Sequence, residues 1–339
     1  MRSARVLIVA SIASLLLASC STTSQSLSSG PTITATPTLS INDALTSASC
    51  TATSCIALSN SQYGVGEQYS ESSKKWTSLN LPAVAIAISA TSCWTNGCLI
   101  AGNTTTSQFL WKYSSGFVAT VQPPTIFQTI ESINCFADNT CAVIGFNPST
   151  SSMEMMYSHD AGATWTSPTS LPAALSVTGT ISMSCDESNN CLVSGASRTG
   201  PSALLYATHD AGVTWLQRTM NSSWVTLHSL TCSALKCLSA MTDSSGNSYI
   251  LNTNTYGRIW KKVSSSNSAV TAMACASVSS CVVVGTNKID GPWLETLHNG
   301  VLVLNKLNYV TTPFNDVACL PAKCVVVGNT NVATVPFSS

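Results

Sequence analysis

The chain has 339 residues, only 8% of them charged, and its 14 Lys and Arg balance 14 Asp and Glu to a formal net charge of zero. Ordinary soluble domains carry about 25% charged residues, so Ser, Thr and Asn must supply most of the polar surface here. A neutral, charge-poor chain has no electrostatic means of gathering nucleic acid or an anionic membrane surface, which excludes those partners as the basis of function.

The N-terminus reads as an export signal. Arg2 and Arg5 precede the apolar run VLIVASIASLLLAS, and Cys20 ends it. The run is too short and wrongly flanked for a membrane span, which needs about 20 apolar residues. LASC at 17–20 resembles the lipobox of bacterial lipoproteins, which implies a lipidated Cys20 as the first mature residue. The expected plan is a signal peptide over 1–19, then the lipidated Cys20 and a flexible Ser/Thr-rich tether over 20–31, and a single domain over 32–339. Such a protein sits on an envelope membrane and faces outside the cytoplasm. Acyl chains on Cys20 would hold it there, at roughly 0.8 kcal/mol per buried methylene.

Fourteen further cysteines fall into seven close pairs: 50/55, 93/98, 135/141, 185/191, 232/237, 275/281 and 319/324. Their first members recur every 42 to 50 residues, the period of a repeat architecture with one supersecondary unit per repeat. Metal binding would require further ligands near each pair, and the four histidines are scattered. Disulfides within each pair are the favoured reading, since an exported protein can form and keep them. The expected bridges are Cys50–Cys55, Cys93–Cys98, Cys135–Cys141, Cys185–Cys191, Cys232–Cys237, Cys275–Cys281 and Cys319–Cys324.

Each repeat carries the pattern of four short strands. Two residues before the first cysteine the side chain is apolar, as at Ile133, Met183, Leu230, Met273 and Val317. The residues on either side are small, as at Ser182 and Ser184 or Ala272 and Ala274, which suits a crowded inner strand. A β-rich run ending in Gly follows the second cysteine, as in CAVIG, CLVSG and CVVVG. A turn, a third strand such as SALLYA (202–207) and a Trp-bearing fourth strand complete the unit. Seven such units predict an all-β, seven-bladed propeller of four-stranded antiparallel blades. Only six outer strand pairs follow the seven hairpins. NVATVPF (331–337) and TITATPTLS (32–40) are expected to supply the third and fourth strands of the last blade, closing the ring.

SHDAGATW (158–165) and THDAGVTW (208–215) match the Asp-box, [S/T]-x-D-x-G-x-x-W, and the chain on this ground resembles the BNR-repeat propellers. Worn copies stand at TNTYGRIW (253–260), TLHNGVLV (296–303), YSESSKKW (69–76) and KYSSGFVA (112–119). Asp160 and Asp210 are expected to accept turn N–H groups. Gly162 and Gly212 permit backbone angles other residues resist, and Trp165 and Trp215 bury aromatic surface. The resemblance implies that the boxes, with His159 and His209 beside them, are structural.

The same superfamily includes sialidases, whose chemistry needs an arginine triad. Beyond the signal this chain has only Arg198, Arg218 and Arg258, none before an Ile-Pro pair, so the sialidase signature is missing. The chain is also similar to the lipid-anchored seven-bladed factors that assist photosystem II assembly. It lacks their arginine cluster, so the resemblance extends to a scaffold role and not to the partner.

Alternating strand direction puts the cysteine hairpins and Asp-boxes on one face. The longer, variable loops lie on the other, the usual place for recognition on a rigid scaffold. Candidate contacts there are Phe127, Arg198, Trp224, Asp290 and Trp293. The expected function is a monomeric binding or scaffold propeller for a protein or glycan partner. The alternative is a glycan-active hydrolase using Asp43, Glu131 and Asp316 on the inner strands, because glycosidases need two carboxylates about 5–9.5 Å apart. No motif for a cofactor or metal stands out.

Overall fold

The computed structural model describes residues 34–36, 44–60, 65–82, 87–104, 107–176, 180–266, 269–287, 291–298, 301–305, 312–329 and 332–337. The signal segment, Cys20, Asp43 and Asp290 lie outside the described residues. Seven four-stranded antiparallel sheets follow one another along the chain, and no described residue is helical. Blades one to six occupy 45–80, 87–121, 129–170, 182–218, 224–266 and 269–305, each running from inner to outer strand in chain order. Blade seven is built from both ends of the chain. Its strands Phe314–Leu320, Lys323–Gly328 and Val332–Pro336 are completed by Thr34–Thr36, with Ala35 opposite Ala333. The fold is therefore an all-β, seven-bladed propeller, closed as the sequence pattern predicts.

The second strand of each blade explains the unbroken apolar runs. Ala142 to Ile144, Val282 to Val284 and Val325 to Val327 are all fully buried. A sheet covered on both faces by neighbouring blades needs apolar side chains at every position, not at alternate ones. The apolar residues before each first cysteine, Ile133, Met183, Leu230, Met273 and Val317, are likewise buried.

The glycines that end these runs have a packing cause. A Cβ on Gly145 would lie 2.5 Å from the ring of Phe127, and one on Gly285 would lie 2.1 Å from the carbonyl oxygen of Ala269 and 2.4 Å from Trp293. The missing side chain makes a flat seat on which an aromatic ring and the inner-strand backbone settle. Replacing Gly285 by Ala is expected to cost about 1–3 kcal/mol, the usual penalty of overpacking. Urea unfolding of the variant against the parent measures it, and an unchanged midpoint would contradict the seat.

Each cysteine pair stands directly opposite across the first hairpin of its blade, for example Cys50 to Cys55 and Cys185 to Cys191. All seven form disulfides, one per blade, with Cα atoms 3.8 to 4.1 Å apart. The metal reading of the pairs falls with this, because the sulfurs are bonded to each other.

The small polar residues flanking those cysteines do more than save space. Ser92 Oγ accepts the Cys135 N–H at 2.9 Å, Asn134 Oδ1 the Cys185 N–H at 2.7 Å, and Ser184 Oγ the Cys232 N–H at 2.9 Å. Ser229 Oγ accepts the Met273 N–H at 3.1 Å, and Asp316 Oδ2 the Ala48 N–H at 2.8 Å. Inner strands of adjacent blades converge near the axis without sharing a ladder, so their N–H groups need partners from elsewhere. A short side chain on the preceding blade supplies one at each of these junctions, and Asn60 Oδ1 accepts the Ile88 N–H at 2.7 Å between blades one and two.

Candidate functional site

In blades three and five the first and third turns do meet on one face. Ala161 N–H donates to Asn139 O in blade three, and Tyr256 N–H to Leu235 O in blade five. In both full boxes the hydroxyl of Ser158 or Thr208 donates to the aspartate and accepts the glycine N–H. Asp160 takes the N–H and hydroxyl of Thr164 at 2.8 and 2.6 Å, and Asp210 takes those of Thr214 at the same distances. The Thr164 hydroxyl and amide hold the Asp160 carboxyl down to about 2, and Thr214 lowers Asp210 in the same way. In the worn box Thr255 Oγ1 replaces the carboxylate and still accepts the Ile259 N–H at 3.0 Å.

The box tryptophans are only half-buried, and each packs against a core cluster shared by its own blade and the one before. Trp165 joins Leu99 and Leu110, Trp215 joins Met155 and Tyr157, and Trp260 joins Leu192 and Leu205. The box is thus a clamp between blades. His209 belongs to it as well. Arginine can only donate, so His209 Nε2 accepts from Arg218 at 3.3 Å and its Nδ1–H donates to Asn190 Oδ1 at 3.1 Å. Asn190 in turn donates to Asp186.

The opposite face carries the second turns and the links between blades. Its most developed part lies over blades four and five. Arg198 stands in the turn after strand Cys191–Ala196, and its N–H is tied to Ala174 O at 2.9 Å while the side chain is exposed. Its guanidinium has no partner among the described residues. Trp224 opens blade five and is half-buried against Met220, Leu227, Met241 and Tyr249. Asn221 fixes the link before it, its Oδ1 accepting the N–H and hydroxyl of Ser223. The Tyr249 hydroxyl donates to Asp243 at 2.8 Å, which lowers the carboxyl, while burial lowers His228. Beside this patch a recess of about 420 Å³ is lined by Leu204, Gln217, Met220 and Asn221 among others.

The structure sorts the remaining candidates. Phe127 and Trp293, expected on the loop face, are 4% and 7% exposed and sit on the Gly145 and Gly285 seats, so neither is presented to a partner. That correction follows from the seats, which draw the Phe127 and Trp293 rings inward against Gly145 and Gly285. Arg218 ends an outer strand and Arg258 stands in a box-like turn, so neither reaches the axis. Glu131 accepts from the Thr129 hydroxyl at 2.6 Å in blade three, while Asp316 is in blade seven. Two blades intervene along the shorter way round, and the structure does not pair these acids. Asp316 is committed to the Ala48 and Val317 amides, and burial, outweighing both bonds, pushes its carboxyl up to about 6. No group of three or more His, Cys, Asp or Glu among the described residues could hold a metal ion.

Nothing in the residue pattern points to the axial mouth on the box face. Hairpins of blades one, two, three, six and seven bring Cys50, Cys93, Cys135, Cys275 and Cys319 round a cavity of about 330 Å³, with Trp94 and Phe136 on its wall.

No family model matches the chain, and no curated protein matches it. Solved structures do. One is of YCF48 bound to D1 peptide, with a TM-score of 0.65 at 11% identity, covering 92% of this chain and 97% of that one. A GH74 xyloglucanase from Xanthomonas campestris gives 0.67 at 12%, covering 88% of this chain and 53% of the enzyme, about half its length. PorZ, a surface component of the type-IX secretion system of Porphyromonas gingivalis, gives 0.57 at 12%, covering 87% of this chain and 37% of that one. At these identities the likeness is one of fold.

Proposed function

We propose that this is an exported, lipid-anchored binding propeller that holds a protein partner against its loop face over blades four and five. The observation that carries it is the pair of Arg198, exposed in the second turn of blade four with no ion-pair partner among the described residues, and half-buried Trp224 at the start of blade five, both on hydrogen-bonded turns of one ring. Arg and Trp anchors on a preorganised surface are the residues that dominate protein interfaces. The propeller solved with a bound peptide, which spans nearly the same length, is a precedent for the fold in that role. Seven disulfides fit a chain that matures outside the cytoplasm, and LASC at 17–20 fits an anchor on Cys20, with the tether over 20–31 and the propeller over 32–339.

The test is affinity capture from native envelope with the mature chain, the parent against Trp224→Ala and Arg198→Ala. Loss of one hot-spot residue costs about 2 kcal/mol, so a defined partner retained by the parent is expected to be lost roughly thirtyfold with either variant. A partner captured equally by all three proteins overturns this surface.

One observation favours a second reading, a glycan-active hydrolase. The Asp316 carboxyl near 6 would suit a general acid, and the xyloglucanase shows the fold in a glycosidase. Against it, both Asp316 oxygens accept backbone N–H groups and Glu131 lies across the ring. Glycosidase turnover abolished by Asp316→Asn would establish the second reading and remove the first.

A further inference from the structure

The box glycines show how blades meet on this face. Blades three, four and five each lay a box glycine over the blade before. A side chain on Gly162 would meet Leu99 and Leu110, one on Gly212 would meet Met155, and one on Gly257 would meet Leu192 and Leu205. Leu99 and Leu192 directly follow the second cysteine of their hairpins, and Leu238 is their counterpart in blade five. Blade six closes differently. Its third and outer strands stay paired up to His298 and Val301, whereas in blade four the last pair is Ala207 with Leu216. A cavity of about 320 Å³ has Leu238 in its lining, with Val278 and Ser279 of blade six on the other side.

The walls of this cleft are chemically one-sided. Lys236 and Lys261 both line it, and no carboxylate is among the described lining residues. Asn252 and Asn254 add two side-chain amides, and Ile259 at the rim is 62% exposed. Neither lysine has an ion-pair partner among the described residues, whose only bridges run from Lys74 and Lys323 to Glu71.

We propose that the cleft between blades five and six binds a negatively charged sugar unit. The two ammonium groups take its carboxylate or sulfate, the amides of Asn252 and Asn254 take ring hydroxyls, and Ile259 meets its C–H face. The volume stands at the low end of ligand pockets, about 300–1,000 Å³, which fits one or two rings. An extended acidic peptide would need a groove that runs on beyond the two blades.

The site is independent of the loop face, and the experiment keeps the two apart. The mature, disulfide-intact chain is titrated by calorimetry with a galacturonic acid trisaccharide and with a sulfated trisaccharide, with maltotriose and acetate as controls. At least one charged sugar is expected to bind, and both controls at least tenfold more weakly. The double variant Lys236→Gln, Lys261→Gln is expected to lose at least tenfold in affinity, the scale of a charge-assisted hydrogen bond. Trp224→Ala is expected to bind sugar like the parent. The galacturonate and sulfated arms tell which anion the cleft prefers. Failure of both charged sugars to bind at millimolar concentration overturns the proposal. So does binding that survives in the double variant, or acetate matching the charged sugars. A circular dichroism spectrum identical to that of the parent shows that the double variant has folded.

Discussion

Full reduction of the seven cystines is expected to unfold this protein at ordinary temperature. Each bridge closes a loop of five or six residues, which removes denatured-chain entropy equivalent to about 2 kcal/mol. Together they amount to roughly 14 kcal/mol, comparable with the whole net stability of an ordinary domain, about 5–15 kcal/mol. The core beneath them is well packed, but its surface offers few charges and two described ion pairs, both on Glu71. Urea titrations of the oxidised and the reduced, alkylated chain measure the difference. A reduced propeller that keeps its midpoint within a few tenths molar would show that blade packing alone holds the ring.

The second large effect is a change in pH dependence on replacing Asp316 by Asn. The folded carboxyl is raised from 3.8 to about 6, because burial outweighs the Ala48 and Val317 hydrogen bonds. A raised acid is best tolerated protonated, so its contribution is most favourable below the unfolded pKa and is lost as pH rises through the folded value. From below pH 3 to above pH 7 this group alone is expected to remove about 3 kcal/mol of stability. Asn keeps an oxygen for Ala48 but offers Val317 only a donor, which costs about 1 kcal/mol. Parent and variant should therefore be similar near pH 4, and the variant about 1–2 kcal/mol more stable above pH 7. A variant with the parent's full pH slope would show that Asp316 is not the group responsible.

Much of this was legible in the residues because it repeats. Seven cysteine pairs at a steady interval, a small-apolar-small pattern before each and two full Asp-boxes specify the blade. The unmatched seventh hairpin then requires a strand from the other end of the chain, and the Ala35–Ala333 pairing supplies it. Repetition works as evidence here because every blade meets the same neighbours and must solve the same packing problem.

The residues that do not repeat were harder to place. Phe127 and Trp293 look like surface anchors in the sequence and are core residues in the fold, because a glycine on another strand of the blade decides where a ring can settle. Ser92, Ser184 and Ser229 look like residues chosen for size and are inter-blade acceptors. Asp316 looks like a channel acid and is a junction acceptor for Ala48. Local pattern fixes which way a side chain leaves its own strand. Only the closed ring decides which blade it meets, since those partners lie 43 to 268 residues away along the chain. The sequence by itself therefore determined the blade, its disulfides and its count of seven. The tertiary structure decided which acids and aromatics are spent on holding blades together, and which side chains, Arg198 and Trp224 among them, keep exposed surface.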